Sequence, residues 1–264
     1  MTAMITDRQI PAPSKLLALS ELPRAIGELG SLPWFAPLLL TLPRGDGHPV
    51  LVLPGFVTSD RSTTILRRFL ETLGYTPFGW ELGRNLGPKA IGREGEKLIE
   101  RLDAIHAETG RKVSIIGWSL GGVMARQVAR RRPDKVRQVI SLGSPFTGNP
   151  RATNVMQAYE TLTGQRMSDE HTQAQLRESQ QKPPVPSTAI YTKADGIVAW
   201  QNCCEPEDAT TDNIEVYGSH CGLGVNASVL YAVADRLAQP DGEWAPFERK
   251  GLRVLMYPFS GHIH

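Results

Sequence analysis

Val113-Ser114-Ile115-Ile116-Gly117-Trp118-Ser119-Leu120-Gly121-Gly122 is the stretch on which the reading of this chain turns. A β-branched apolar run enters a Gly-x-Ser-x-Gly turn, and residues 123–132 leave it with helical character. That is strand, turn, helix. Such a turn strains the backbone of the central serine, and glycines two before and two after it leave room for strand and helix to pass closely. The pattern arises by chance in about one chain in ten of this length, given average Gly and Ser usage. The flanking strand and helix are what make Ser119 a candidate nucleophile rather than a helix cap. Its hydroxyl would stand at the carboxyl edge of a sheet and at the amino end of a helix, where backbone N–H groups favour an oxyanion.

Working outward, the first strand is Val50-Leu51-Val52-Leu53, a continuous apolar run of the kind covered on both faces. It ends at Pro54-Gly55-Phe56, where Gly55 lets the backbone turn close to a substrate and leaves the Phe56 N–H as the candidate second oxyanion donor, with a plain turn as the alternative. A helix from Ser59 or Asp60 to Leu73, a short strand within 75–80, a long amphipathic helix over 89–108 and a strand over 136–142 continue the pattern. Alternating strands and helices predict a mostly parallel central sheet flanked by helices.

The rhythm breaks at 146–186, which is rich in Gln, Thr, Ser and Arg and closes on Lys182-Pro183-Pro184-Val185-Pro186. It is read as an inserted helical cap. The core therefore comprises 49–145 and 187–264, preceded by an extension over 1–48. Within that extension, 15–29 has helical spacing that Pro23 is expected to break into two pieces. Strands are expected at 188–192 and 213–217, a helix at 226–237, and an edge strand at 252–257.

Composition narrows the classes. Apolar residues make up 41% and charged residues 21%, which excludes a disordered or fibrous chain. A formal net charge of +2 argues against nucleic acid as a partner. Arg126, Arg130, Arg131, Arg132 and Lys135 cluster at the end of the helix after Ser119, where solvated cations complement the helix dipole. The three cysteines, Cys203, Cys204 and Cys221, exclude a disulfide-dense scaffold, and neither a C-x-x-C pair nor a His/Cys cluster suggests a metal. No cofactor is expected. Residues 1–14 lack a signal-peptide pattern, so cytoplasmic residence is the expectation. The apolar segment 32–43 is too short and too rich in proline to span a bilayer. It is expected to pack against the domain, with contact to a membrane surface or lining of an acyl pocket as the alternatives.

A serine hydroxyl needs a histidine to take its proton and an acid to orient the ring. Ser119, Asp195 and His220 follow one another in the order Ser, acid, His, and both partners come directly after expected strands. Glu205, Glu207, Asp208 and Asp212 are rival acids, but Asp195 follows its strand and is flanked by Gly196. Among the other histidines, His48 precedes the first strand at the opposite edge, His106 is helical, His171 lies in the cap, and His262 and His264 are terminal.

Leu53-Pro54-Gly55-Phe56, Gly117-Trp118-Ser119-Leu120-Gly121-Gly122, Asp195-Gly196-Ile197-Val198 and Gly218-Ser219-His220 together resemble the α/β-hydrolase superfamily, in particular its bacterial lipase- and esterase-like members. The resemblance covers roughly residues 49–237. It implies an α/β-hydrolase fold, Ser119, Asp195 and His220 as a catalytic triad, and Phe56 and Leu120 N–H groups as the oxyanion hole. It further implies hydrolysis of short- to medium-chain acyl esters or lipids, since the loop at Leu53-Pro54-Gly55 lacks the His-Gly sequence of one lipase group. An acyltransferase, thioesterase or amidase would use the same triad, and a non-catalytic binding protein is the reading of another class. By analogy with lipases braced near their acid and histidine, Cys203 or Cys204 could bond to Cys221 and staple the two loops.

Overall fold

A computed structural model describes residues 10–166, 168–251 and 253–258, with the side chain of His171 left out of the description. Its centre is one sheet of six strands: β1 (Pro49–Leu53), β2 (Thr76–Gly79), β3 (Val113–Trp118), β4 (Val136–Leu142), β5 (Ser187–Tyr191) and β6 (Thr211–Glu215). They lie in the order β2-β1-β3-β4-β5-β6, and every neighbouring pair is parallel. Parallel strands need crossovers, and helices supply most of them, covering both faces of the sheet. All strand carboxyl ends consequently share one edge.

The two-residue period of the strands divides the core. Val50 and Val52 of β1 face the same layer as Ile116 and Ile140, packed beneath α3 (Thr64–Leu73) and α9 (Ala227–Leu237). Leu51 and Leu53 face the other layer with Val113 and Ile115, against α5 (Glu96–Thr109) and α6 (Leu120–Arg131). Between β4 and β5 the chain forms α7 (Met156–Thr163) and α8 (Glu170–Gln180).

Several expectations are corrected. The amino-terminal break falls at Ser20, between α1 (Lys15–Leu19) and α2 (Glu21–Leu39), not at Pro23. Pro23 stands in the first turn of α2, where a missing N–H costs no helical bond, and α2 continues through Pro33 and Pro37. The helix expected over 89–108 is two helices, α4 (Pro88–Ile91) and α5, parted by Gly92 and Gly95, whose φ angles of +88° and +76° leave the helical region. The expected edge strand at 252–257 is instead the single turn α10 (Arg253–Met256). There Tyr257 donates its hydroxyl to Ser228 O of α9 at 2.7 Å and packs edge-on against Phe247.

Arg126 is no solvated cation. It is buried, forms a two-pronged pair with Glu205 at 2.9 Å through each nitrogen, and stacks 3.8 Å above the Phe146 ring. Arg131 pairs with Glu178 and Lys135 with Asp103, so the basic run is largely neutralised within the fold. The segment 32–43 divides between environments: Leu39 and Leu42 are buried, whereas Trp34 is 85% and Leu40 68% exposed. No helix among the described residues is long and apolar enough to cross a membrane.

Candidate active site

Ser119 adopts φ 52°, ψ −120°, a left-handed conformation that a residue with a Cβ rarely takes, between the end of β3 and the first residue of α6. The turn is held by Ser119 N–H donating to Leu142 O at 2.8 Å and Gly122 N–H donating to Ser119 O at 3.0 Å. Its glycines are sterically required. A Cβ on Gly117 would stand 2.4 Å from Gly121 O, and one on Gly121 would stand 2.7 Å from the carbonyl oxygens of Leu53 and Pro54. The carboxyl end of β1 is thereby pressed against the start of α6.

That contact sets the neighbouring loop. A Cβ on Gly55 would lie 3.5 Å from Ser119 Cβ, so the backbone entering Phe56 runs beside the serine. Among the described residues, neither Phe56 N–H nor Leu120 N–H donates to another protein group. Both remain open to a ligand, and the Leu120 N–H belongs to the unpaired first turn of a helix. Asn85, which the sequence reading missed, braces this loop. Its Nδ2 donates to Pro54 O at 2.8 Å, its carbonyl accepts Val57 N–H at 2.8 Å, and its N–H donates to Thr58 O at 2.8 Å. Nothing in the turn-rich stretch 82–88 singled it out.

At the same sheet edge, Asp195 and His220 meet. Asp195 Oδ1 accepts N–H bonds from Ile197 and Val198 at 2.8 and 2.7 Å, which leaves Oδ2 to accept from His220 Nδ1 at 2.6 Å. Gly143, at the turn after β4, backs the pair, since a Cβ there would come within 3.1 Å of His220 Nδ1 and 3.4 Å of Asp195 Oδ2. Trp118 Nε1 donates to His220 O at 3.1 Å, joining the histidine loop to the residue before Ser119. Among the described residues no hydrogen bond joins Ser119 Oγ to the imidazole. Burial by itself favours the neutral ring, but the Asp195 carboxylate outweighs it and Glu21 adds to it, so His220 titrates above the ordinary histidine range.

A cavity of about 140 Å³ opens from Ser119 and runs between α6 and the helices α7 and α8. Phe56, Leu120, Val123, Met156, Tyr159 and Leu176 give it an apolar wall. Residues 32–43 are absent from its lining.

The rival acids are engaged elsewhere. Glu205 pairs with Arg126 and accepts from Ser187, Asp208 pairs with Lys182, Asp212 accepts Phe247 N–H at 2.6 Å, and Glu207 accepts from Asn213. His106 lies on α5, His48 is buried at the opposite sheet edge, and His262 and His264 fall outside the described residues. The disulfide suggested for Cys221 does not form, because all three cysteines are free. Cys203 is packed with Tyr191 and Val198, Cys204 Sγ donates to Trp200 O, and Cys221 faces Glu21. No cluster of three or more metal-ligating side chains occurs among the described residues.

The model of the alpha/beta hydrolase fold family matches residues 49–182, half of the chain. A triacylglycerol lipase of Vibrio cholerae is 43% identical over 58 residues, 22% of this chain and 19% of that protein. One of Pseudarthrobacter phenanthrenivorans is 26% identical over 121 residues, 43% of this chain and 38% of that protein. The chain thus matches well under half the length of these curated relatives. The crystal structure of Aspergillus fumigatus lipase B superposes with a TM-score of 0.58 at 18% identity, over 76% of this chain and 55% of that one.

Proposed function

The chain belongs to the alpha/beta hydrolase fold family, and from that premise we propose that it is a serine hydrolase of carboxylic esters, with Ser119, His220 and Asp195 as its catalytic triad. The observation that carries the reading is the 2.6 Å Asp195–His220 pair at the same sheet edge as a serine held at φ 52° beside two open N–H groups. Asp195 fixes the tautomer in which Nδ1 bears the proton, leaving Nε2 to take the proton of Ser119 as its oxygen attacks the ester carbonyl. The Phe56 and Leu120 N–H groups receive the oxyanion. The imidazolium then protonates the leaving alcohol, and the ring activates water to release the acid and restore Ser119.

The apolar wall of the cavity supports an acyl group of short to medium length as the part that enters it. We read 146–186, with α7 and α8, as a cap over this cavity, so that its side chains select the substrate. Triacylglycerol lipases among the relatives support lipid esters as one source of substrate. The exposed Trp34 and Leu40 fit peripheral contact with such a surface. The test is a series of p-nitrophenyl esters of increasing chain length with wild type and Val123→Trp. The reading predicts that Val123→Trp loses long acyl chains before acetate. Absence of any ester turnover by wild type would overturn it.

A further inference from the structure

Glu21, Arg24 and Glu28 are spaced i, i+3, i+7 along α2 and so share one face of it. Glu21 Oε1 accepts Gly196 N–H at 2.7 Å and its Oε2 accepts Cys221 N–H at 2.8 Å. Arg24 Nη1 donates to the carbonyls of Ala194 at 2.9 Å and Gly218 at 3.3 Å. Glu28 Oε1 accepts from the Ser219 N–H at 2.7 Å and its hydroxyl at 2.6 Å, and Oε2 accepts from Asn226 Nδ2 at 2.8 Å. The residues on either side of Asp195, and those on either side of His220, are therefore all held by one helix.

The loops are shaped for this approach. A Cβ on Gly222 would come within 2.4 Å of the Glu28 carboxylate, and one on Gly196 within 2.6 Å of the Leu17 carbonyl group of α1, the turn of helix just before α2. Glu21 is only 2% exposed, and a carboxylate is expensive to bury unless its oxygens are satisfied. Its satisfaction here comes from the two loops and from Arg24 at 2.7 Å. The opposite face of α2 has no such engagement: Leu22 and Ile26 are 68% and 70% exposed.

We propose that Glu21 and Glu28, with Arg24 between them, are positioning residues that hold the Asp195 and His220 loops at a fixed separation and aim the imidazole for catalysis. The inference rests on the serine-hydrolase reading above. Neither carboxylate reaches the reacting atoms. They act on the backbone groups beside the acid and the base, where a displacement of about 1 Å costs up to a hundredfold in rate. Glu21 has a second, electrostatic consequence, because its charge helps hold the proton on His220. The charged groups that act on that ring are Asp195 from the loop after β5 and Glu21 from α2, while Arg24 and Glu28 of the same helix bind the backbone of Gly218 and Ser219 beside it. The adjacent Cys221 thiol, pushed up to about 12 by burial and by Glu21, stays protonated.

The experiment compares Glu21→Gln, Glu28→Gln and the outward-facing Ile26→Gln with wild type on a soluble short-chain ester, with rates expressed per active site titrated by a fluorophosphonate. Each Glu→Gln variant should lose about tenfold in kcat with KM within about twofold, since none of these residues lines the cavity. For Glu21→Gln the acidic limb of kcat/KM should move to lower pH, because losing the negative charge makes His220 easier to deprotonate. Ile26→Gln should match wild type. If either Glu21→Gln or Glu28→Gln fails to fold, the other carries the test. Variants whose kcat per titrated site stays within twofold of wild type and whose acidic limb does not move overturn the proposal, even if their melting temperatures fall. So does an equal loss in Ile26→Gln, which would trace the effect to the helix as a whole. Because labelling is scored separately, a wild type that reacts at Ser119 keeps the serine-hydrolase reading standing when the positioning role fails, whereas an unreactive wild type removes both.

Discussion

One serine lies near the start of β3 and another just past its end, and each has a histidine and an aspartate in its neighbourhood. At the amino end, Ser114 Oγ lies 2.9 Å from His48 Nε2, and His48 Nδ1 lies 2.5 Å from Asp46 Oδ1, itself anchored by Arg111 and Arg137 at 2.7 and 3.0 Å. At the carboxyl end, His220 and Asp195 are joined at 2.6 Å, but Ser119 makes no hydrogen bond to the ring among the described residues. By hydrogen bonding alone the first set is the more complete. Yet Ser114 and His48 are wholly buried, and Ser114 pairs in register with Val50 and Gln138 in the middle of the sheet. Ser114 is not among the residues that line the cavity at Ser119, and no helix among the described residues begins beside it. Ser119 has a strained backbone, a helix amino terminus, two open N–H groups and a cavity. What separates a candidate nucleophile from a core polar cluster is access and a place for developing charge, not the completeness of the hydrogen-bond chain.

The comparison breaks most sharply on the serines. Ser119→Ala should lower ester hydrolysis by at least about a thousandfold. Ser114→Ala should leave kcat within about threefold while costing about 1 kcal/mol of stability in urea unfolding, the usual worth of a buried hydrogen bond. A fluorophosphonate should label Ser119 alone, as located by peptide mass. Labelling at Ser114 would reverse the assignment.

The aspartates come next. Asp195→Asn should cost about a thousandfold or more in kcat, because an amide can no longer fix the tautomer with Nδ1 protonated. Asp46→Asn should leave kcat within about threefold. A fall of Asp46→Asn comparable to that of Asp195→Asn would mean the two clusters are coupled through β3.

The smallest and finest test is the pH dependence of stability, where the two histidines should differ in sign. Burial holds His48 below the ordinary histidine value despite the opposing carboxylate of Asp46, so its contribution is present above the unfolded value near 6.5 and is lost as the pH falls. His220 is raised, so its contribution is fully present below about 6.5 and is lost as the pH rises through its folded value. In urea melts, His48→Gln should therefore differ from wild type more at pH 8 than at pH 5.5, and His220→Gln more at pH 5.5 than at pH 8. Parallel slopes for the two variants would contradict the contrast.

Much of the fold was legible because its signals are local. A strand covered on both faces must be apolar along its whole length, so β1, β3 and β4 announce themselves, and the turn at Gly117-Trp118-Ser119-Leu120-Gly121 carries its own steric logic. Parallel strands send every carboxyl end to one edge, which is why Asp195 and His220, each following a strand, were nameable beside Ser119. Elsewhere local reading went astray where tertiary context dominates. Arg126 reads as a surface cation until Glu205, 79 residues later, meets it in the interior. Residues 252–257 have the composition of a strand, but tertiary packing beside α9 gives a turn of helix at Arg253–Met256.

The chain order of Ser119, Asp195 and His220, and the elbow that strains Ser119, were thus determined by the sequence itself, because each depends on backbone sterics within a few residues or on the common direction of parallel strands. Only the tertiary structure decided which Ser-His-Asp set opens to a cavity, and only it brought Glu21 and Glu28 onto loops 175 to 200 residues away. Those contacts rest on where whole helices pack against the sheet, a choice made by the summed burial of both core layers.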